Sequence, residues 1–218
     1  MKEYLSFGGG VNSVALYLLL KQKGIDFEAI FVNHETDYPE TYEYVEYLRK
    51  KGFEITELKP NVEGYSSLYE YCKFRKFIPS IYLRWCTSKF KLKPIWKFVE
   101  RPCVMHIGIS AEEKHRVLTR QPKGVKGKWL LVEEGITRRD CIKMIKDAGL
   151  KVPRRSGCWL CPFQGKKQLR KLYREHPDLF EKIMELEKIR GGGHTIKEHP
   201  IQFYVAYNTP ELEVIVGE

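Results

Sequence analysis

No stretch of this sequence stays apolar for the roughly 20 residues that a membrane-spanning helix requires. The most apolar run, Val14 to Leu20, is far shorter, and Met1 to Phe7, which include Lys2 and Glu3, lack the apolar core of a secretory signal. The expectation is a soluble protein of the cytoplasm with no membrane partner. Cysteine is scarce, at six in 218 residues, and without a secretory signal these read as thiols or metal ligands and not as a disulfide framework. Internal repeats and low-complexity tracts are absent, which sets aside solenoids and polar linkers. Acidic residues are in deficit, with 28 Asp and Glu against 38 Lys and Arg and a formal charge of +10. That balance suits an anionic partner, nucleotide or nucleic acid, without choosing between them.

At 43% hydrophobic residues, the chain suffices for one α/β core and falls short of two ordinary domains with linkers. Tyr4 to Phe7 is a short apolar run ending in glycines, and Ser13 to Lys23 carries apolar residues at helical spacing until Gly24. The pattern repeats as a strand at Phe27 to Val32, a helix at Glu40 to Lys51 and a strand at Phe53 to Leu58. A helix from Ser88 to Val99 then leads into a strand at Val104 to Ile109. Such alternation predicts an α/β fold: a doubly wound five-stranded parallel sheet with right-handed crossovers and a ligand cleft at the carboxyl ends of the strands.

After Gln121 come a glycine- and lysine-rich link, the apolar run Trp129 to Val132, and a helix opened by Thr137 with Asp140 in its first turn. Pro153 to Phe163 is too broken by Pro, Gly and Cys to be regular; helical patterns resume at Lys166 to Tyr173 and Pro177 to Glu187. Gly191 to Gly193 mark a joint, followed by two short strands at Ile201 to Tyr207 and Leu212 to Val216. The expected division is a main α/β unit over 1–125, a helical, cysteine-bearing extension over 126–190 packed on it, and a tail over 191–218.

Three glycines directly after a strand, with a hydroxyl at the mouth of the next helix, let backbone N–H groups approach an anion that the helix dipole also favours. The spacing is neither G-x-x-x-x-G-K-[ST] nor G-x-G-x-x-G. Instead Ser6-Phe7-Gly8-Gly9-Gly10-Val11-Asn12-Ser13 resembles the PP-loop of adenine nucleotide alpha hydrolases, within them the phosphoadenosine phosphosulfate (PAPS) reductase family. Asp37-Tyr38-Pro39-Glu40-Thr41, Arg84-Trp85-Cys86-Thr87 with Lys89 and Pro94, and Gly108-Ile109-Ser110-Ala111-Glu112-Glu113 through Arg116 resemble further blocks of that family, in its order. Gly135 to Cys141 and Ser156 to Phe163 resemble its cysteine-bearing downstream segments. The resemblance implies a site for ATP or a related adenine nucleotide built from Ser6, Gly8, Gly9, Gly10, Asn12, Ser13 and Gly108, with Asn33, Glu35 and Asp37 after the second strand. Lys89, Arg84 and Arg116 are the implied catalytic cations, and Glu112 and Glu113 either hold magnesium or cap the next helix. Asn12 stands where the family carries aspartate, and no cysteine follows Cys161. The second departure disfavours sulfonucleotide reduction by the chain's own C-terminal thiol.

Cys158 and Cys161 form a C-x-x-C in a turn punctuated by Gly157 and Pro162, suited to hold one metal through two thiolates. The resemblance adds Cys86 and Cys141, giving four thiolates from three segments. Such a set holds zinc or an iron–sulfur cluster, and the sulfur chemistry of the family favours a 4Fe-4S cluster over zinc. A redox dithiol or buried thiols are the plainer alternatives. Cys72 and Cys103 have no partner at metal spacing and read as packing residues, and of the histidines only His34 is a candidate for the cleft. Lys151, Arg154, Arg155, Lys166, Lys167, Arg170, Lys171 and Arg174 crowd around the C-x-x-C, either as a solvated helix face or as a groove for a polyanion. The function implied is an ATP pyrophosphatase of the adenylylating, sulfur-transfer type. The alternatives are a PAPS or adenylyl-sulfate reductase-like enzyme using a partner's thiol, with a sulfur- or electron-donor protein as partner, and a non-catalytic nucleic-acid-binding module.

Overall fold

Five short runs, Lys2–Ser6 (β1), Glu28–Val32 (β2), Ile55–Leu58 (β3), Cys103–Ile107 (β4) and Val125–Lys128 (β5), pair in the order β3-β2-β1-β4-β5. Every pairing is parallel, as the strand–helix alternation requires. This computed structural model describes residues 1–79, 84–117 and 121–189. The expected terminal strands at 201–207 and 212–216 lie outside those residues.

Both faces of the sheet are apolar, because successive side chains point to opposite sides and each side is covered by helices. Leu5, Ala29 and Phe31 pack against Val11–Gln22 (α1) and Pro39–Lys50 (α2), while Tyr4, Ile30, Val32 and Met105 pack on the other face against Ile95 and Val99. Ile95 belongs to the short helix Lys93–Phe98 (α4), which continues a π-helical turn over Thr87–Leu92. The single helix expected from Ser88 to Val99 is thus two pieces.

A third apolar cluster lies outside the sheet. It joins Leu68–Arg75 (α3) to Trp159, Leu160 and the helices Lys166–Glu175 and Pro177–Ile189. The sequence did not disclose α3, whose alternating aromatic and charged residues carry no clean helical stripe; tertiary packing makes it.

The fifth strand occupies the stretch expected to be a link. Val125-Lys126-Gly127-Lys128 shows one buried apolar residue, as an edge strand with a single neighbour can, and pairs with β4. The expected boundary at 125 therefore cuts a strand. Arg138–Asp147 (α6, after the one-turn helix Leu130–Glu133, α5) packs on α1 and joins its core. Its start is the expected one: Thr137 accepts from Asp140 N–H at 3.2 Å, and Asp140 Oδ2 accepts from Thr137 N–H at 2.9 Å.

Candidate functional site

The strand order reverses between β1 and β4. The segments that leave their carboxyl ends diverge there and open a crevice, the usual ligand position in a doubly wound sheet. The glycine turn leaves β1 and Gly108 leaves β4, so both candidates meet in that crevice. A cleft of about 700 Å³ is lined by Ser6, Gly8, Gly10, Asn12, Ser13 and Gly108, with Ser110, Glu112, Glu113, Arg116, Arg138, Arg155 and Ser156.

The Ser13 hydroxyl braces the turn: Oγ donates to Gly10 carbonyl at 2.9 Å and accepts Gly8 N–H at 3.3 Å. Gly10 is extended at the N-cap of α1, and no side chain caps that helix, so its first N–H groups are left for a ligand. A Cβ on Gly108 would lie 3.0 Å from Ser13 N, and one on Gly10 would lie 2.3 Å from Ser156 Oγ. Gly8 meets nothing within 4 Å and is open to the cleft. Gly9 differs from its neighbours. Its φ is +67°, and a Cβ there would meet Thr41 Cγ2 at 3.1 Å and Val45 Cγ2 at 3.3 Å on α2. Gly9 shapes the turn against α2, and its side-chain position faces that helix while Gly8 and Gly10 line the cleft.

Asn12, in the aspartate position, donates from Nδ2 to Glu113 Oε2 at 2.9 Å and accepts from Arg138 Nη1 at 3.4 Å. An amide can do both; a carboxylate could not donate to Glu113. Glu113 also pairs with Arg116. Glu112 accepts the Arg138 N–H at 2.9 and 3.0 Å, which caps α6 and contributes to holding its carboxyl below the usual range, behind the larger effect of its own backbone N–H. Of its two expected roles, the structure shows the cap.

Several expected residues lie elsewhere. Asn33 pairs with Glu57 at 2.8 Å and Glu35 accepts from Ser66 at 2.9 Å, both away from the cleft lining. Lys89 donates to Tyr71 Oη at 3.0 Å, beside α3, so it does not reach the turn. The Arg84 guanidinium lies 5.6 Å from the centre of the Phe163 ring. Asp37 is buried, with Lys91 Nζ at 3.5 Å and His34 Nε2 at 3.5 Å. Lys91 is the cation that sequence reading missed: it alternates with Lys89 and Lys93, and only the π-helical turn turns it towards Asp37. His34, buried, has its pKa lowered to about 4 by desolvation, against the pull of Asp37, and is neutral.

A second cavity, about 250 Å³, is lined by Cys158 and Cys161 together with Tyr38, Gln164 and His176. Arg155 and Ser156 line both cavities, so the two adjoin. Cys158 bridges to Asp37 in the backbone and lies 3.4 Å from Thr36 Oγ1. Cys86 packs against the same apolar cluster as Cys158. Cys141 does not join them. It shares the face of α6 with Ile145, four residues on, and that face is buried against α1; burial and then Glu112 push its thiol up to about 11. All six cysteines are free thiols. Among the described residues the one group of three side chains at metal-ligand spacing is Glu40, Glu175 and His176, and Arg154 already bridges the two carboxylates at 2.9 and 3.2 Å. No helix among the described residues is long and apolar enough to cross a membrane.

The phosphoadenosine phosphosulfate reductase domain matches residues 2–117, just over half of the chain, and the chain belongs to that family. Two uncharacterized proteins of Methanocaldococcus jannaschii are similar over most of it. One is 27% identical over 215 residues, 89% of this chain and 43% of the relative. The other is 24% identical over 202 residues, 84% of this chain and 47% of the relative. The chain thus spans less than half the length of either. Among solved structures, the predicted subunit of a tRNA methyltransferase from the same organism aligns with a TM-score of 0.40 at 12% identity, over 69% of this chain and 91% of that one.

Proposed function

We propose that this member of the phosphoadenosine phosphosulfate reductase domain family binds ATP or a related adenine nucleotide in the crevice between β1 and β4 and splits off pyrophosphate. The observation that carries this reading is the union, in one cleft, of an uncapped helix N-terminus, the open Gly8 and three arginines, Arg116, Arg138 and Arg155. In the reaction an acceptor oxygen attacks the α-phosphorus, the bond from that phosphorus to the bridging oxygen breaks, and pyrophosphate leaves, so the acceptor carries AMP. Charge grows on the departing pyrophosphate, and the arginines with the loop amides neutralise it. Arg116 keeps its expected part, Arg138 and Arg155 take the places given to Lys89 and Arg84, and magnesium enters with the phosphates, since Glu112 and Glu113 are engaged by Arg138, Asn12 and Arg116.

The neighbouring thiols fit a sulfur- or electron-handling step: Cys158 and Cys161 line a cavity that adjoins the nucleotide cleft, Cys86 packs on the same apolar cluster as Cys158, and all three are free of disulfides. An iron–sulfur centre held there would supply a sulfur- or electron-carrying group. Nucleic-acid binding by the basic stretch is the weaker reading, because Arg154 and Lys171 are paired with Glu40 and Glu175. Calorimetric titration with ATP, AMP and GTP, together with an assay of pyrophosphate release across small-molecule and RNA acceptors, tests the proposal. Adenine-selective binding with pyrophosphate release supports it; absence of binding to any adenine nucleotide refutes it.

A further inference from the structure

Six cysteines divide into two kinds by what surrounds them. Cys103 lies in the β4 core, and Cys141 between α6 and α1. The other four gather around one apolar cluster outside the sheet: Cys72 is inside it, and Cys86 and Cys158 pack against it, with Cys161 one turn beyond Cys158.

Cys72 reaches this cluster through backbone contacts. The His34–Tyr38 segment that follows β2 is clamped on two sides. On one side Leu68 N–H, at the start of α3, donates to His34 carbonyl at 3.1 Å. On the other, Trp159 N–H donates to Thr36 carbonyl at 2.9 Å and Tyr38 N–H to Gly157 carbonyl at 3.0 Å. The same five residues thus carry α3 and the C-x-x-C turn. Within α3, Leu68 and Cys72 are four apart and both buried, so they share the inward face.

Two tyrosines of α3, Tyr71 beside Cys72 and Tyr69 one turn before it, touch the residues flanking the other thiols. Tyr71 packs on Trp85, the neighbour of Cys86, at 5.8 Å, and Tyr69 on Trp159, the neighbour of Cys158, at 5.8 Å. Lys91 Nζ lies 3.5 Å from Asp37, whose backbone bridges to Cys158, so a cation stands beside the C-x-x-C turn and offsets the negative charge of a tetrathiolate centre.

We propose that Cys72, Cys86, Cys158 and Cys161 together hold an iron–sulfur cluster, Cys72 filling the place expected of Cys141. The inference rests on the metal-ligating reading of the C-x-x-C and is independent of which nucleotide reaction occurs. Spacing argues against a preformed single-ion site. Four ligands about 2.3 Å from one tetrahedral zinc stand about 3.8 Å apart, whereas among the described residues no three cysteine sulfurs lie within 4.8 Å of one another. A cluster attaches each thiolate to its own iron and accepts the wider frame.

The test is anaerobic purification of the full chain, with iron, acid-labile sulfide and zinc counted per chain and the visible charge-transfer absorption recorded. Wild type, Cys72→Ala, Cys161→Ala and Cys141→Ala are compared, and ATP affinity is measured on each as a check of the fold that does not depend on metal. Loss of outer-shell support alone costs about 10–100-fold in metal affinity, so Cys72→Ala and Cys161→Ala should each lose tenfold or more of the iron while Cys141→Ala keeps it. Because Cys72 is fully buried, Cys72→Ser serves as the second variant should the alanine form not fold. Iron retained in folded Cys72→Ala, iron lost in Cys141→Ala, or one zinc per chain in place of iron and sulfide would each overturn the proposal. Failure of ATP binding in wild type with the cluster intact would instead refute the nucleotide reading and leave this one standing.

Discussion

Replacing Gly8 by valine is the sharpest probe of the phosphate cradle, because Gly8 lines the cleft and an added Cβ meets nothing of the protein within 4 Å. Its φ lies outside the left-handed region, so the change adds no backbone strain there and, by restricting the unfolded chain, should leave stability within about 1 kcal/mol of wild type. The branched side chain fills the space a phosphate must occupy to reach the loop amides. Hydrogen bonds to charged groups are each worth about 1.5–3 kcal/mol. Losing two of them weakens ATP binding by about 3–6 kcal/mol, or about 10²- to 10⁴-fold. Gly9→Ala is the contrasting variant. At φ +67° and 3.1 Å from Thr41 Cγ2 it should lower stability by about 1–3 kcal/mol and alter affinity far less. Titration calorimetry with ATP and urea unfolding of both variants read the two effects separately. Wild-type ATP affinity in folded Gly8→Val would refute the assignment of the cradle.

Three further outcomes follow from the same geometry. Asn12→Asp sets a carboxylate 2.9 Å from Glu113 in place of a donor. One carboxyl of that pair then has its folded pKa raised, so a loss of about 1 kcal/mol or more at pH 8 should shrink towards pH 5; an equal loss at both pH values, measured by urea unfolding, contradicts it. His34 has a folded pKa of about 4 against an unfolded 6.5, so the stability it contributes is complete above about 6.5 and is lost as pH falls towards 4. That loss is on the order of 3 kcal/mol, absent in His34→Gln, and a pH series of unfolding curves that runs parallel for the two proteins would dismiss it. Lys89→Ala should leave pyrophosphate release within about twofold of wild type, while Arg155→Ala, which removes a cation shared by both cavities, lowers it about tenfold or more; the reverse order would restore Lys89 to the site.

The glycine turn, the strand–helix alternation and the Thr137 cap are legible in sequence because each depends on residues close along the chain: consecutive glycines between a strand and a helix, periodicity that buries one face, a hydroxyl three residues from its carboxylate. Lys89 and Lys91 show the limit of that legibility. They differ by two positions, and only the wide π-helical turn decides which one meets Asp37.

What the sequence determined by itself is therefore the parallel α/β architecture and the position of a glycine turn at the end of its first strand. Tertiary structure decided the rest. Val125–Lys128 becomes a strand only because β4 offers it an edge, and Gly9 answers to α2, more than thirty residues on. The resemblance set Cys141 beside the C-x-x-C and left Cys72 to packing, yet the helix of Cys72 carries it into the apolar cluster on which Cys158 packs and the helix of Cys141 buries its own against α1. Which thiols meet is set by how helices dock, and docking depends on apolar surfaces contributed by segments far apart in the chain, which no local pattern records.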